Sequence, residues 1–256
     1  MIHPTAIIAP GARIADRVQI GPYSVIGEHV SLGEGTVVGP HAVIEGWTEI
    51  GRDNRIFQFA SVGAIPQDLK FHGEKTWLRI GDRNTIREFA SLHLGTEEGG
   101  GETLVGNDNL FMANAHVAHD CRIGNHVILA NGATCAGHVE VGDFAILGGL
   151  SAIHQFTRIG SHAMLSGGSM VAQDIVPFAI AQGDRALPVG VNHVGMKRRG
   201  YSEEAVRAVR QAFKVVFRSG ILLEAALAQI ESTYPDQPEI TQFVRFIKGS
   251  QRGIAR

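Results

Sequence analysis

From Ile2 onward every sixth residue is aliphatic for eleven positions: Ile2, Ile8, Ile14, Ile20, Ile26, Leu32, Val38, Ile44, Ile50, Ile56 and Val62. Hydrophobic residues of all kinds make up only 44% of the chain, so an unpatterned series would break within a few steps. The next position is often small, as at Ala9, Ala15, Gly21, Gly27, Gly33, Gly39, Gly51 and Gly63. An inward aliphatic side chain followed by a small residue describes one flat wall and one corner of a triangular coil. Three hexads close a coil of about 18 residues, and successive coils pair as parallel strands. The chain is therefore expected to be mainly β: a parallel β-helix of hexapeptide repeats.

The register also locates its own interruptions. Continued past Val62, it would bury Asp68 and Glu74, which is too costly for unpaired carboxylates. A loop is therefore expected at about 64–79. Register resumes at Ile80, Ile86 and Leu92, then breaks at a run ending Gly99-Gly100-Gly101, giving a second excursion at about 93–104. The pattern restarts one residue out of phase at Val105 and runs through Phe111, Val117, Ile123, Leu129, Cys135, Val141, Leu147, Ile153, Ile159, Leu165 and Val171. Pro177 is expected to end it, with the solenoid domain occupying 1–190.

Residues 191–256 read as a linker followed by helices. The linker carries the cationic run Lys197-Arg198-Arg199. Ser202 is an N-cap with Glu203 and Glu204 in the first turn. Val206, Val209, Phe213, Val216 and Phe217 then form a stripe at helical spacing. Two further helices are expected, over Leu222–Ile230 and Ile240–Ile247.

Bulk properties exclude several classes. Lys and Arg total 23 against 25 Asp and Glu, so no basic excess points to nucleic acid. No apolar run is long enough for a transmembrane segment, and the N-terminus lacks the features of a signal peptide. The two cysteines, Cys121 and Cys135, show no metal-site spacing and suit a reducing compartment. A cytoplasmic protein is expected.

An 18-residue coil also brings distant residues together. His119 falls above Gly137 and Gly137 above Gln155, while Asp120 falls above His138. His154 takes a position that elsewhere prefers small residues, and His116 lies just before the corner. An imidazole is suited to general-base work near neutral pH. Asp120 could orient the His119 ring, and the bare Gly137 backbone could offer an N–H to an oxyanion. With no obvious Ser or Cys nucleophile, this suggests direct acyl transfer. Gln67, Asp68 and Lys70 on the first excursion are candidates for a clamp on substrate. His3, His29, His41, His126 and His162 read as ordinary surface histidines.

The ordered set Gln67-Asp68-Leu69-Lys70, Asn114-Ala115-His116-Val117-Ala118-His119-Asp120-Cys121, Ala136-Gly137-His138-Val139, His154-Gln155-Phe156, Val171-Ala172-Gln173-Asp174, Ala181-Gln182-Gly183 and Lys197-Arg198-Arg199-Gly200 resembles the acyl-ACP–UDP-N-acetylglucosamine O-acyltransferases of lipid A biosynthesis. The resemblance spans essentially the whole chain. It implies a left-handed coil and a homotrimer with sites between subunits. It implies transfer of an (R)-3-hydroxyacyl chain from the phosphopantetheine of acyl carrier protein to the 3-hydroxyl of UDP-N-acetylglucosamine, without metal or bound cofactor. His119 then matches the general base, Asp120 its carboxylate and Gly137 the oxyanion donor. Gln67, Asp68, Lys70, His116, His138, His154 and Gln155 match substrate-contacting positions or lie beside them. Asn192, Arg198 and Arg199 match positions near the nucleotide and the pantetheine arm. Gly167 matches the region that limits acyl length, and its missing side chain implies a longer donor, of about 14 carbons.

Two positions depart from the pattern: Val194 replaces a glutamate, and Leu94 a cation of the second excursion. Other readings stay open. A γ-carbonic-anhydrase-like metal site would use His116, His119 and His138. The sister N-acyltransferases carry an extra N-terminal domain, whereas the hexads here begin at Ile2. A non-catalytic solenoid would leave the clustered histidines unexplained. The residues do not separate a 3-hydroxyl from a 3-amino acceptor.

Overall fold

The computed structural model describes all 256 residues. Most strands are two residues long, one residue pointing in and one out, as in His116–Val117. They stack into three sheets of nine, eight and ten strands, the faces of a three-sided prism. The first sheet holds His116–Val117, Thr134–Cys135 and Ala152–Ile153. The second holds Arg122–Ile123, Glu140–Val141 and Arg158–Ile159. The third holds Ile128–Leu129, Ile146–Leu147 and Met164–Leu165. Pairing is parallel within the solenoid, with Val117 opposite Cys135 and Cys135 opposite Ile153, so each coil is 18 residues. The coil is left-handed, an exception to the usual right-handed parallel crossover.

From Ile20 to Val171 the inward hexad residues are buried in the prism interior. Val117, Cys135 and Ile153 are 0%, 0% and 2% exposed, and burying such a side chain contributes about 1.5–3 kcal/mol. Most corners are turned through a residue of left-handed backbone conformation. On the corner between the first and second sheets these are Asp120, His138 and Phe156, with φ of 60°, 62° and 62°. Such a φ costs a non-glycine residue about 1 kcal/mol or more; its recurrence in these three successive coils aligns the three side chains in a column.

Both excursions are shorter than the hexad register suggests. Trp77–Ile80 and Glu102–Val105 are strands of the second sheet, so the loops span 65–76 and 94–101. Alternation within these strands buries Leu78 and Ile80 and turns Trp77 and Arg79 outward, a period of two that a step of six does not sample. Register also explains the phase change. Ile80 pairs with Ile50, 30 positions earlier, so the first excursion adds twelve residues and preserves the hexad phase. Val105 pairs with Ile80, 25 positions earlier, so the second adds seven and shifts it by one.

Pro177 does not end the solenoid. Ala179–Gln182 continues the third sheet, with Ala181 opposite Leu165. Leu187–Val191 then pairs antiparallel to it and covers its outer edge. The expected linker is largely ordered: His193–Arg198 forms helix α1, capped by the Asn192 side chain. Helices α2 (Glu203–Arg218), α3 (Leu223–Thr233) and α4 (Pro238–Lys248) follow. Ser202 caps α2 as expected, accepting from the Ala205 N–H. One continuous core joins Leu165, Val176 and Phe178 to Met196, Val209 and Phe243, so the helices extend the solenoid's interior. No helix is long and apolar enough to cross a membrane.

Candidate active site

The corner between the first and second sheets gathers the most chemistry. His119 Nδ1 lies 2.7 Å from Asp120 Oδ2. The Asp120 side chain is fully buried and that of His119 is 14% exposed. With Asp120 ionised, Nδ1 carries the proton, which leaves the Nε2 lone pair free. Burial opposes ionisation of Asp120, but hydrogen bonds from His119 and from the Thr96 N–H and hydroxyl, with His138 nearby, hold its carboxyl below the usual range.

Gly137 sits one coil on. A Cβ there would come 2.5 Å from His119 Cε1 and 2.7 Å from Nε2, so its backbone packs against the working edge of the imidazole. The Gly137 N–H finds no acceptor within the chain, nor do those of His119 and Gln155 in the same column. At Gly137 no side chain screens the donor. His138 stacks on Phe156 with ring centroids 4.3 Å apart and meets His119 edge-on at 5.2 Å. His154 and Gln155 are exposed beside them. Burial first holds the His138 pKa below its ordinary value, while the charges of Asp120 and of Asp68 push it up. Asp68 belongs to the first excursion. On that excursion Gln67 and Lys70 are exposed, and Lys70 pairs with Glu98 of the second excursion at 2.9 Å.

His116 lies on the adjoining face, with Nδ1 2.7 Å from Ser91 Oγ. Next to it stands His93, absent from the expected set. It is 4% exposed, its Nδ1 has no partner, and burial together with His116 and His119 pushes its pKa down to about 4. Only its contacts reveal it, since a buried histidine leaves no mark on a six-residue pattern.

The remaining expected residues lie on other corners of the prism. Gly167 is between the third and first sheets, where a Cβ would meet only the Gly149 carbonyl, at 3.3 Å. Asn192, Arg198 and Arg199 lie at the corner between the second and third. Asn192 is buried, and its amide is engaged within the chain: it accepts from the Gly195 N–H and donates to the His162 carbonyl. Arg198 is exposed, and the Arg199 guanidinium lies 4.6 Å above the Phe144 ring. Val194 is exposed. Leu94 is buried against Gly46, so it presents nothing to a carrier protein.

His162 differs most from its reading as a surface histidine. It is 7% exposed, its Nε2 meets the Tyr201 hydroxyl at 2.9 Å, and burial with nearby Arg199 pushes its pKa down to about 4. Neutral burial of His93 and His162 has a consequence in acid. An unfolded histidine gains its proton near pH 6.5, whereas these two do so near 4 in the fold. Their stabilising effect is complete above pH 6.5 and declines as pH falls towards 4. At pH 5 the loss is about 2 kcal/mol per histidine. Tm at a fixed scan rate should therefore drop clearly between pH 7.5 and 5; an unchanged Tm would contradict neutral burial.

His119, Asp120 and His138 bring ligand-type atoms within 4.8 Å of one another, a spacing that a divalent ion could use. Asp120 Oδ2, however, already accepts from His119 Nδ1 and from the Thr96 hydroxyl, an arrangement suited to orienting a base. Neither cysteine offers a nucleophile: burial pushes the Cys121 thiol up to about 12 and that of Cys135 well above its ordinary value.

Known proteins share this architecture. Residues 102–137 match the six-repeat bacterial transferase hexapeptide family, and residues 174–255 match domain 2 of UDP-N-acetylglucosamine O-acyltransferase. The acyl-[acyl-carrier-protein]–UDP-N-acetylglucosamine O-acyltransferase of Janthinobacterium sp. (strain Marseille) is 51% identical over 100% of this chain and 99% of its own length. LpxA from Acinetobacter baumannii superposes with a TM-score of 0.97 at 47% identity, over 100% of this chain and 99% of that one. The UDP-N-acetylglucosamine acyltransferase of Arabidopsis does so at 0.87 and 34%, over 100% of both chains. On full-length identity and fold together, the chain belongs to the acyl-[acyl-carrier-protein]–UDP-N-acetylglucosamine O-acyltransferases.

Proposed function

We propose that the protein transfers an (R)-3-hydroxyacyl chain from acyl carrier protein to the 3-hydroxyl of UDP-N-acetylglucosamine, the first step of lipid A biosynthesis, by direct attack without an acyl-enzyme. The observation that carries this is the contact of the oriented His119 imidazole with the bare Gly137 backbone. His119 Nε2 takes the proton of the sugar hydroxyl as its oxygen attacks the thioester carbonyl. Asp120 stabilises the imidazolium that forms. The Gly137 N–H donates to the developing oxyanion, in the manner of preorganised donors generally. Collapse of the tetrahedral intermediate breaks the C–S bond, and the His119 proton passes to the departing pantetheine thiolate. The buried, high-pKa cysteines argue against a covalent intermediate.

His138, His154 and Gln155 stand at this corner and His116 on the adjoining face; with the excursion residues Gln67, Asp68 and Lys70 they would hold the acceptor and the thioester. Arg198 and Arg199 offer guanidinium groups suited to phosphates, but on another corner of the prism. In a homotrimer a second copy of the chain would bring its arginine corner to this one and complete the site. The Leu69 side chain, at the tip of the first excursion, is fully solvent-exposed in the single chain, as a contact reaching a neighbour would be. Two free thiols fit the reducing cytoplasm, where acyl carrier protein resides.

Purified protein incubated with (R)-3-hydroxyacyl carrier proteins of graded length tests the reading, with product followed by mass spectrometry. UDP-N-acetylglucosamine and its 3-amino analogue serve as parallel acceptors. Acylated UDP-N-acetylglucosamine is expected; no product with any donor would reject the proposal. The open Gly149–Gly167 surface gives a further expectation in the same assay. Gly167→Met should move donor preference to shorter chains, since each methylene excluded or accommodated is worth about 10-fold or more. Unchanged preference would remove Gly167 from the acyl path.

A further inference from the structure

The second excursion, 94–101, does more than interrupt the solenoid. Its turn folds back on itself, with the Gly101 N–H donating to the Thr96 carbonyl at 2.8 Å. Thr96, 7% exposed, then approaches Asp120 with both of its donors. Its N–H reaches Oδ1 at 2.8 Å and its hydroxyl reaches Oδ2 at 2.7 Å. Thr96 Oγ1 also accepts from the Gly99 N–H at 3.1 Å, a donor it shares with the Thr96 carbonyl at 3.2 Å. Because an ionised carboxylate only accepts, the hydroxyl proton points at Asp120. Gly99 itself packs against the carboxylate so closely that a Cβ would collide with it. From below, the Asp120 N–H donates to Thr103 Oγ1 at 2.8 Å, in the strand that returns from the excursion.

The carboxylate is thus held in one rotamer from several sides, and the oxygen that receives the Thr96 hydroxyl is the one that receives His119 Nδ1. From this geometry we infer that Thr96 is a positioning residue of the acyltransfer reaction, and that the second excursion exists to set the orientation and basicity of the Asp120–His119 pair. The inference rests on the reading of His119 as the base.

The chemistry sets the direction of the effect. In Thr96→Val the Oδ2 atom keeps His119 as its principal donor, in a fully buried site. Its less compensated charge holds the His119 proton more firmly, so the base is freed only at higher pH. The other titratable groups around the pair are His93 and His116 on the adjoining strands, His138 one coil on, Cys121 beside Asp120, and Asp68 acting through His138. The substitution alters none of them.

Three full-length proteins decide the matter: wild type, Thr96→Val and Thr96→Ser, each assayed for kcat, for KM of UDP-N-acetylglucosamine and for the pH dependence of kcat/KM. Thr96→Val should lower kcat about 10–100-fold, as loss of a supporting hydrogen bond does elsewhere. KM should stay within about twofold, and the acid limb should move to higher pH by about half a unit or more. Thr96→Ser, which keeps the hydroxyl, should restore both rate and limb. A Val variant with wild-type kcat overturns the inference. So does a slow Val variant whose acid limb is unmoved, or one that serine does not rescue, since a loop that merely folds badly would behave that way. His119→Ala in the same assay separates the two ideas: retained activity there rejects the base assignment, whatever Thr96 does.

Discussion

His119→Ala should lower kcat by about 10²–10⁴, the range expected for loss of a general base, while KM for UDP-N-acetylglucosamine changes little. Three histidines crowd the corner, and the structure separates their roles. His119 has its Nδ1 tied to a buried carboxylate and its Nε2 against the Gly137 backbone. His116 spends its Nδ1 on Ser91, and burial followed by the neighbouring His119 holds its pKa down. His138 stacks on Phe156, with Nε2 3.7 Å from Asp120, outside hydrogen-bond range. His116→Ala and His138→Ala should therefore cost less than His119→Ala and act mainly through KM. Steady-state kinetics of the three variants is the check. If His138→Ala fell as far as His119→Ala is expected to fall, and His119→Ala stayed within tenfold of wild type, the base would be His138.

The expectation that His119, Asp120 and Gly137 meet came from counting alone, because an 18-residue coil turns sequence separation into height along the prism. What counting misses lies where the coil is broken. Thr96 reaches Asp120 across 24 positions only because the second excursion folds back over the corner, and no period encodes that path. His93 and His162 are hidden for a different reason. The hexad pattern reports which backbone positions face inward, whereas these two are covered from outside, by neighbouring side chains and by Tyr201 of the helical tail. Leu94 shows the converse. Judged by residue type alone it replaces a surface charge, yet it is a core residue packed against Gly46. The short strands Trp77–Ile80 and Glu102–Val105 were concealed because two-residue alternation and a six-residue step coincide only at Ile80 and Val105.

Gly137→Ala should fold normally and yet lose about 10²-fold in kcat, the cost of misplacing a reacting group by about 1 Å. Nothing in the backbone requires glycine at this position. Gly137 does not lie in the left-handed region, and the same place in the adjacent coils is taken by His119 and Gln155. The constraint comes from the imidazole, which a Cβ would approach to 2.5 Å. His119 is the end of a side chain and can move aside, so the fold is spared. It cannot move without stretching its bond to Asp120, which Thr96 and Thr103 hold in place. The methyl would also stand beside the Gly137 N–H, where the oxyanion is proposed to form. A thermal melt beside the kinetic assay reads both halves of the expectation. A Tm within about 3 °C of wild type with a collapsed kcat would mean that glycine is required by the base and the donor, not by the coil; the Tm margin corresponds to less than about 1–2 kcal/mol for a chain of this size. A variant as active as wild type would mean that neither the close approach of His119 nor the exposed N–H takes part in the reaction.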